Sequence, residues 1–233
     1  MIDQDKVISI VKTGWFNGTS NQQIEKILKY SKIREYRADD FVYMAGAHSQ
    51  SLYCILDGKV SLSIIDPKGD EFGLAIWTVG HWFGETAIGR ESKMPLQSRV
   101  MHGATLLEVP IKAIDEVLDD SAEFYRNIML DMIERTRLLF SLVELLMFRP
   151  LRARVAMRVL SLVEMFGEPD GDTLVLPIKF SQSDFAMMSG GSRQRINQIF
   201  RQWASQGIFQ KKNKRYVVLD LSALKREVEA TED

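Results

Sequence analysis

A single cysteine, Cys54, and three scattered histidines, His48, His81 and His102, stand in the 233 residues. One thiol excludes an intramolecular disulfide framework, a four-cysteine zinc site and an all-cysteine iron-sulfur cluster, each of which needs several thiolates. In the apolar run YCIL, Cys54 is expected to be a small buried residue. No histidine has a carboxylate partner at metal-ligand spacing, so no metal site is expected, and the HxH-plus-Glu pattern of a metal-dependent β-barrel enzyme is missing. His81, in GHWFGE, is expected to be a partly exposed turn residue. The chain also lacks a run of the ~18 apolar residues that would span a bilayer. Its first residues, MIDQDKVISIVKTGW, have no basic segment leading into an apolar core. A cytoplasmic protein without membrane contact is expected.

Two further scarcities are local. Residues 121–148 contain neither glycine nor proline, and residues 181–216 contain one acid, Asp184, against seven basic residues. The net charge of −1 conceals this polarity: residues 1–148 carry 16 Lys and Arg against 21 Asp and Glu, whereas residues 149–233 carry 14 against 10. A basic patch confined to one end of a chain is the footprint of a polyanion binder.

Ser20, with Gln23 three positions on, caps an amphipathic helix carrying Ile24, Ile27 and Leu28. The segments DFVYMAG, SLYCILDG, KVSLSIID, EFGLAIWTVG and GATLLEVP are short, β-branched and punctuated by glycine, which predicts a compact antiparallel barrel or roll with a hairpin turn at DPKG. Trp77, Trp82 and Phe83 fit either a ligand pocket or the core. In the stretch free of Gly and Pro, Tyr125, Met129, Met132, Thr136, Leu139, Val143 and Leu146 step alternately by four and three. That is a heptad seam on a helix roughly 40 Å long, expected to form a parallel homodimer. Pro150 stops the helix, so a hinge is expected between Phe148 and Leu151.

Beyond it, RARVAMRVLSLVEMFG reads as a helix, EPDGD as a turn, LVLPIKF as a strand, and KKNKRYVVLDL as a strand pair with a basic tip. Between them lies SQSDFAMMSGGSRQRINQIFRQW. Ser181 and Asp184 form a capping box, Ser192 caps a second helix after Gly190-Gly191, and one of these glycines needs a positive φ. Phe185, Met188, Ile196, Ile199, Phe200 and Trp203 face inward. Arg193, Gln194, Asn197, Gln198 and Arg201 face outward, as on a helix that reads the major groove. Ser192 would lie near a phosphate, and Lys211, Lys212, Lys214 and Arg215 would add non-specific affinity. The expected fold is α+β: a β-roll over residues 1–120, a long dimerisation helix over 121–148, and a winged helix-turn-helix over 149–233.

With these parts in this order, nearly the whole chain resembles the CRP/FNR family of bacterial transcription regulators. The resemblance rests on IKFSQSDFAMMSGGSRQRINQIF, similar to the family's DNA-reading unit, and on GHWFGE followed by QSRV, similar to its ligand-cradling segment. It implies a cyclic-nucleotide-binding-type roll, base contacts from Arg193, Gln194 and Gln198, a palindromic double-stranded operator, and RNA polymerase as partner of an activator. The family's cAMP receptors carry Glu and Arg where Gln194 and Gln198 stand. The implied effector site comprises Gly84, Glu85, Gln97, Ser98, Arg99, Leu139 and Phe140. Glu85 and Ser98 match, but Gln97 replaces the phosphate-binding Arg, and Leu139 and Phe140 replace polar residues. No cofactor is demanded; a cyclic nucleotide or another small effector is what the resemblance implies, and an unusual response to cAMP is expected. The alternatives are a nucleotide-responsive regulator using Arg90 or Arg99 for the phosphate, and a ligand-binding module that acts on a partner protein.

Overall fold

The computed structural model describes residues 4–67, 69–88, 93–118 and 121–229. The chain forms two compact units, Met1–Arg137 and Leu138–Asp233. In the first, helices α1 (Gln4–Val11) and α2 (Asn21–Tyr30) precede strands β1 (Lys32–Tyr36), β2 (Phe41–Tyr43), β3 (Ser51–Ile65), β4 (Glu71–Trp77), β5 (Trp82–Phe83) and β6 (Gln97–Pro110). Helix α3 (Ile111–Leu118) and the long helix α4 (Ala122–Phe148) follow. The antiparallel sheet runs β1-β6-β3-β4, with β2 on β6 and β5 on β3. As expected, Ser20 and Gln23 close a capping box on α2, whose Ile24 and Ile27 are fully buried.

SLYCILDG and KVSLSIID form one strand rather than two. Leu52, Cys54 and Leu56 enter a core shared with Val7, Trp15, Phe16, Ile24, Ile27, Trp82 and Phe124. Tyr53, Ile55, Val60 and Leu62 enter a second core inside the roll, with Tyr43, Phe83, Val100 and Leu106. Over Leu52–Leu56 both faces of the strand are covered, so that run is continuously apolar, whereas Val60–Ile64 alternates with serine. Gly58 bends the strand without ending it: the pairing with β6 shifts register on either side of it, and its φ is 88°. A Cβ there would lie 2.3 Å from the Gly103 carbonyl oxygen and 2.7 Å from the Ala104 Cα. Backbone cannot yield as a side chain can, so Gly58→Ala should cost about 3 kcal/mol or more. Urea unfolding of the roll checks this, and a cost under about 1 kcal/mol would contradict it. Where DPKG predicts a turn, the Gly69 N–H donates to the Asp66 carbonyl at 3.0 Å, and Lys68 lies outside the described residues.

Phe124, fully buried, seats α4 on the roll. The Asn127 amide donates to the Trp15 and Asn17 carbonyls at 3.2 and 2.9 Å, and Asp131 accepts the Trp15 indole N–H at 2.6 Å. Met132 packs against the same core.

In the second unit, Pro150 stands at the N-cap of α5 (Leu151–Phe166). Then come β7 (Glu168–Asp170), β8 (Thr173–Leu176), α6 (Gln182–Ser189), α7 (Arg193–Ser205), β9 (Phe209–Lys212), β10 (Arg215–Val218) and α8 (Leu221–Glu227). The sheet order is β7-β8-β10-β9. EPDGD is therefore not only a turn: Glu168–Asp170 is an edge strand, a place where Pro169 is tolerated. LVLPIKF stays extended only to Leu176, before Pro177. Phe185, Phe200, Phe209 and Tyr216 pack with ring centroids 5.0–6.4 Å apart, edge-on or tilted except for the stacked pair Phe209–Tyr216, and tie the two short helices to the hairpin.

A half-buried fork closes this unit. Arg152 of α5 grips Glu227 of α8 through one guanidinium edge, Nε to Oε2, and Nη2 to Oε1 at 3.0 Å. Burial alone would raise the Glu227 pKa; the hydrogen bond and charge of Arg152, with a further contribution from Trp203, outweigh it and hold the carboxyl below its ordinary value. A depressed folded pKa gives stability present above the unfolded value, about 4.3, and lost as pH falls through the folded one. Glu227→Gln should therefore cost about 1–3 kcal/mol at neutral pH, with the wild-type advantage vanishing in acid. Melting curves against pH check it; a difference constant down to acid pH would contradict the assignment.

Candidate nucleic-acid interface and effector pocket

The joint of the helix-turn-helix is built from caps. The Ser181 hydroxyl accepts the Asp184 N–H at 3.1 Å, and Asp184 accepts the Ser181 N–H at 2.6 Å. Gly190 ends α6 with φ 62° and ψ 47°, the left-handed cap the sequence called for. Gly191 has a different reason to be glycine, because a Cβ would sit 2.6 and 2.8 Å from the two methyls of buried Leu151. Arg158, half-buried on α5, donates from Nε and Nη2 to the Met188 carbonyl at 3.3 and 3.1 Å and so closes the C-terminal end of α6. The Ser192 hydroxyl then accepts the Arg195 N–H at 3.3 Å and starts α7.

Ile196, Ile199, Phe200 and Trp203 are buried, as are Phe185 and Met188 of α6. Arg193, Gln194, Gln198 and Arg201 are exposed, and so are the cap residues Ser181 and Ser192. At 3.6 residues per turn these four span an arc of about 140°. Asn197 departs from the expectation: it is half-buried, and its side-chain N–H donates to Gln182 Oε1 at 3.0 Å. In the hairpin Lys211, Lys212, Lys214 and Arg215 are exposed. The tip residues Asn213 and Lys214 have φ of 51° and 64°, as a two-residue type I′ turn requires.

On the roll, Gly84 has φ 92°, and a Cβ would meet the Ser51 carbonyl oxygen at 2.9 Å. Glu85 next to it is held by a residue that periodicity alone did not single out. Arg135 of α4 reaches Glu85 at 3.1 Å, Asp131 at 2.8 Å and the Trp82 carbonyl at 2.5 Å, and lies 5.0 Å from the Trp77 ring centre. The Asp131–Arg135 pair, four residues apart, was the available sequence signal. Gln97 and Ser98 are both buried, Gln97 opposite Ser63, and Ser98 opposite Leu62 and Tyr43 on the roll's inner face. The Ser98 hydroxyl is buried with no hydrogen-bond partner. Arg99 turns outward to Asp39, with a 3.2 Å ion pair, which argues against the reading that gives it the phosphate. Arg90 lies outside the described residues. Leu139 and Phe140, 48% and 70% exposed, fall in the second unit.

Along the seam of α4, Tyr125, Met129, Thr136, Leu139, Val143 and Leu146 are exposed, while Met132 is half-buried in its own core. Trp82 and Phe83 are core residues. Burial pushes the Cys54 thiol well above its ordinary pKa, and exposed His81 stacks on Trp77 at 4.9 Å. Among the described residues no three His, Cys, Asp or Glu side chains gather as a metal site, and no helix is long and apolar enough to cross a membrane.

A sensor-type β-roll, a long helix and a winged helix-turn-helix define the class of two-domain transcription regulators. Comparison with known families agrees: residues 33–121 match the cyclic nucleotide-binding domain and residues 153–227 the Crp-like helix-turn-helix domain. The chain is 23% identical over 217 residues to the CRP-like cAMP-activated global transcriptional regulator of Mycobacterium tuberculosis, covering 93% of this chain and 97% of that one. To the cAMP-activated regulator Vfr of Pseudomonas aeruginosa it is 24% identical over 204 residues, covering 84% and 94%. Among solved structures it shares its fold with the c-di-GMP responsive regulator CLP of Xanthomonas campestris, at TM-score 0.77 and 18% identity over 86% of this chain and all of that one. The chain belongs to the CRP/FNR family of transcription regulators.

Proposed function

We propose that the protein is a homodimeric, sequence-specific DNA-binding regulator, cytoplasmic and not an enzyme, that does not respond to cAMP in the usual way. The observation that carries the DNA reading is α7: one face entirely buried, the other an exposed arc of Arg193, Gln194, Gln198 and Arg201 beside a basic hairpin. Ser181 and Ser192 would meet phosphates, and Lys211, Lys212 and Lys214 would anchor the hairpin to the backbone. The exposed seam of α4 supports the dimer, since apolar side chains at heptad spacing gain from burial against a second copy. Regulation would run through the disposition of the two α7 helices, and activation would add a contact with RNA polymerase.

The cAMP part rests on Gln97. A carboxamide cannot replace an Arg fork on the cyclic phosphate, a contact worth about 1.5–3 kcal/mol. Gln97→Arg should therefore bind cAMP about 10–100-fold more tightly than the wild type, measured by calorimetry with melting curves to confirm folding. Equal affinity in the two proteins would sink this part of the proposal. The unpartnered Ser98 hydroxyl remains available to a different effector.

A further inference from the structure

On the exposed arc of α7, Gln194 and Gln198 form one stripe, and Arg193, Asn197 and Arg201 a second. Four residues of helix separate the two glutamines by about 6 Å, within two base steps of 3.4 Å. A carboxamide presents one donor and one acceptor, which matches the N6 amino group and N7 of adenine in the major groove. Arg193 presents two donors, which matches O6 and N7 of guanine. No carboxylate lies on the arc to accept from cytosine. Asn197 would be a third carboxamide reader by spacing alone. One of its two side-chain N–H donors, however, is taken by Gln182 Oε1 at 3.0 Å, which draws the half-buried side chain toward α6.

From this we infer that each half-site is read as one G·C pair by Arg193 and two A·T pairs, through adenine, by Gln194 and Gln198, while Gln182 withholds Asn197 from the bases. The inference rests on the proposal that α7 enters the major groove. Gln182 is then a positioning residue at the start of α6: it fixes which carboxamides face the DNA without touching a base itself.

The test is selection from a random duplex pool by the full chain and by Gln194→Glu, Gln198→Arg, Asn197→Ala and Gln182→Ala, each checked for an unchanged melting transition. The wild type should enrich a palindrome with one guanine and two adenines per half-site, each favoured about tenfold or more. Gln194→Glu should turn one adenine into cytosine, and Gln198→Arg should turn the other into guanine. Asn197→Ala should keep the wild-type motif. Gln182→Ala should gain one further adenine preference, which the double variant Gln182→Ala/Asn197→Ala loses again, a change that a merely structural role for Gln182 would not produce. A wild-type palindrome left unaltered by Gln194→Glu and Gln198→Arg, or a base preference lost in Asn197→Ala, overturns the inference and leaves the DNA-binding proposal standing. Salt-sensitive retention of DNA with no enriched motif overturns both.

Discussion

Arg193→Glu is expected to abolish operator recognition while leaving the dimer and both melting transitions intact. Arg193 is the first residue of α7, exposed, directly after the Ser192 cap. The substitution removes a fork worth about 1–3 kcal/mol at each half-site, so about 2–6 kcal/mol across a two-fold complex. It also places a carboxylate beside phosphates at both ends, which steepens the loss further. A fall of about 10³-fold in operator affinity is the central expectation. Lys214→Ala should behave differently: if, as proposed, the hairpin meets only the DNA backbone, affinity should fall uniformly across sequences and the salt slope by about one unit per contact. Fluorescence anisotropy on operator and scrambled duplexes, with sedimentation alongside, separates the two. An Arg193→Glu protein that still discriminates its operator would contradict the interface. Unaltered DNA binding together with loss of a protein partner would favour the ligand-binding module.

The second large effect is expected on α4. Leu139 and Val143 occupy consecutive seam positions and are 48% and 57% exposed in the single chain. Burying a carboxylate at each, opposite its twin, leaves like charges unpaired in an apolar interface. Leu139→Glu/Val143→Glu should therefore sediment as a monomer at micromolar concentration. Operator affinity should fall by about 10²–10⁴, the avidity lost when two half-sites are no longer held by linked readers. Each α7 is folded around its own aromatic cluster, so binding to an isolated half-site should persist. A double variant that remains a dimer would place the interface elsewhere.

The parts of the structure legible in the sequence were those with a local cause. The capping boxes at Ser20 and Ser181, the left-handed Gly190 and the split of α7 into buried and exposed faces follow from spacing and backbone chemistry alone. What stayed hidden depended on contacts remote in sequence. Helices α1 and α3 carry short apolar patterns that gain their meaning only against the roll, through Val7, Val11 and Ile114. Gly58 looked like a strand end because its reason, the close approach of Gly103 and Ala104, is a cross-strand contact. Arg135 looked like one charge among several on a helix, yet it joins Glu85, Asp131 and the Trp82 carbonyl. Asn197 has the spacing of a reader, and its hydrogen bond to Gln182 reaches back across the joint.

The most direct test of the account is to strip the purified protein of small molecules and select from a random duplex pool with and without cAMP. If the protein is the proposed dimer, with a largely apolar α4 seam and Gln97 in place of the phosphate-binding Arg, it should enrich the same palindrome under both conditions. A palindrome that appears only with cAMP would contradict the account: the roll would then hold the cyclic phosphate without an arginine at position 97, and DNA reading would depend on it.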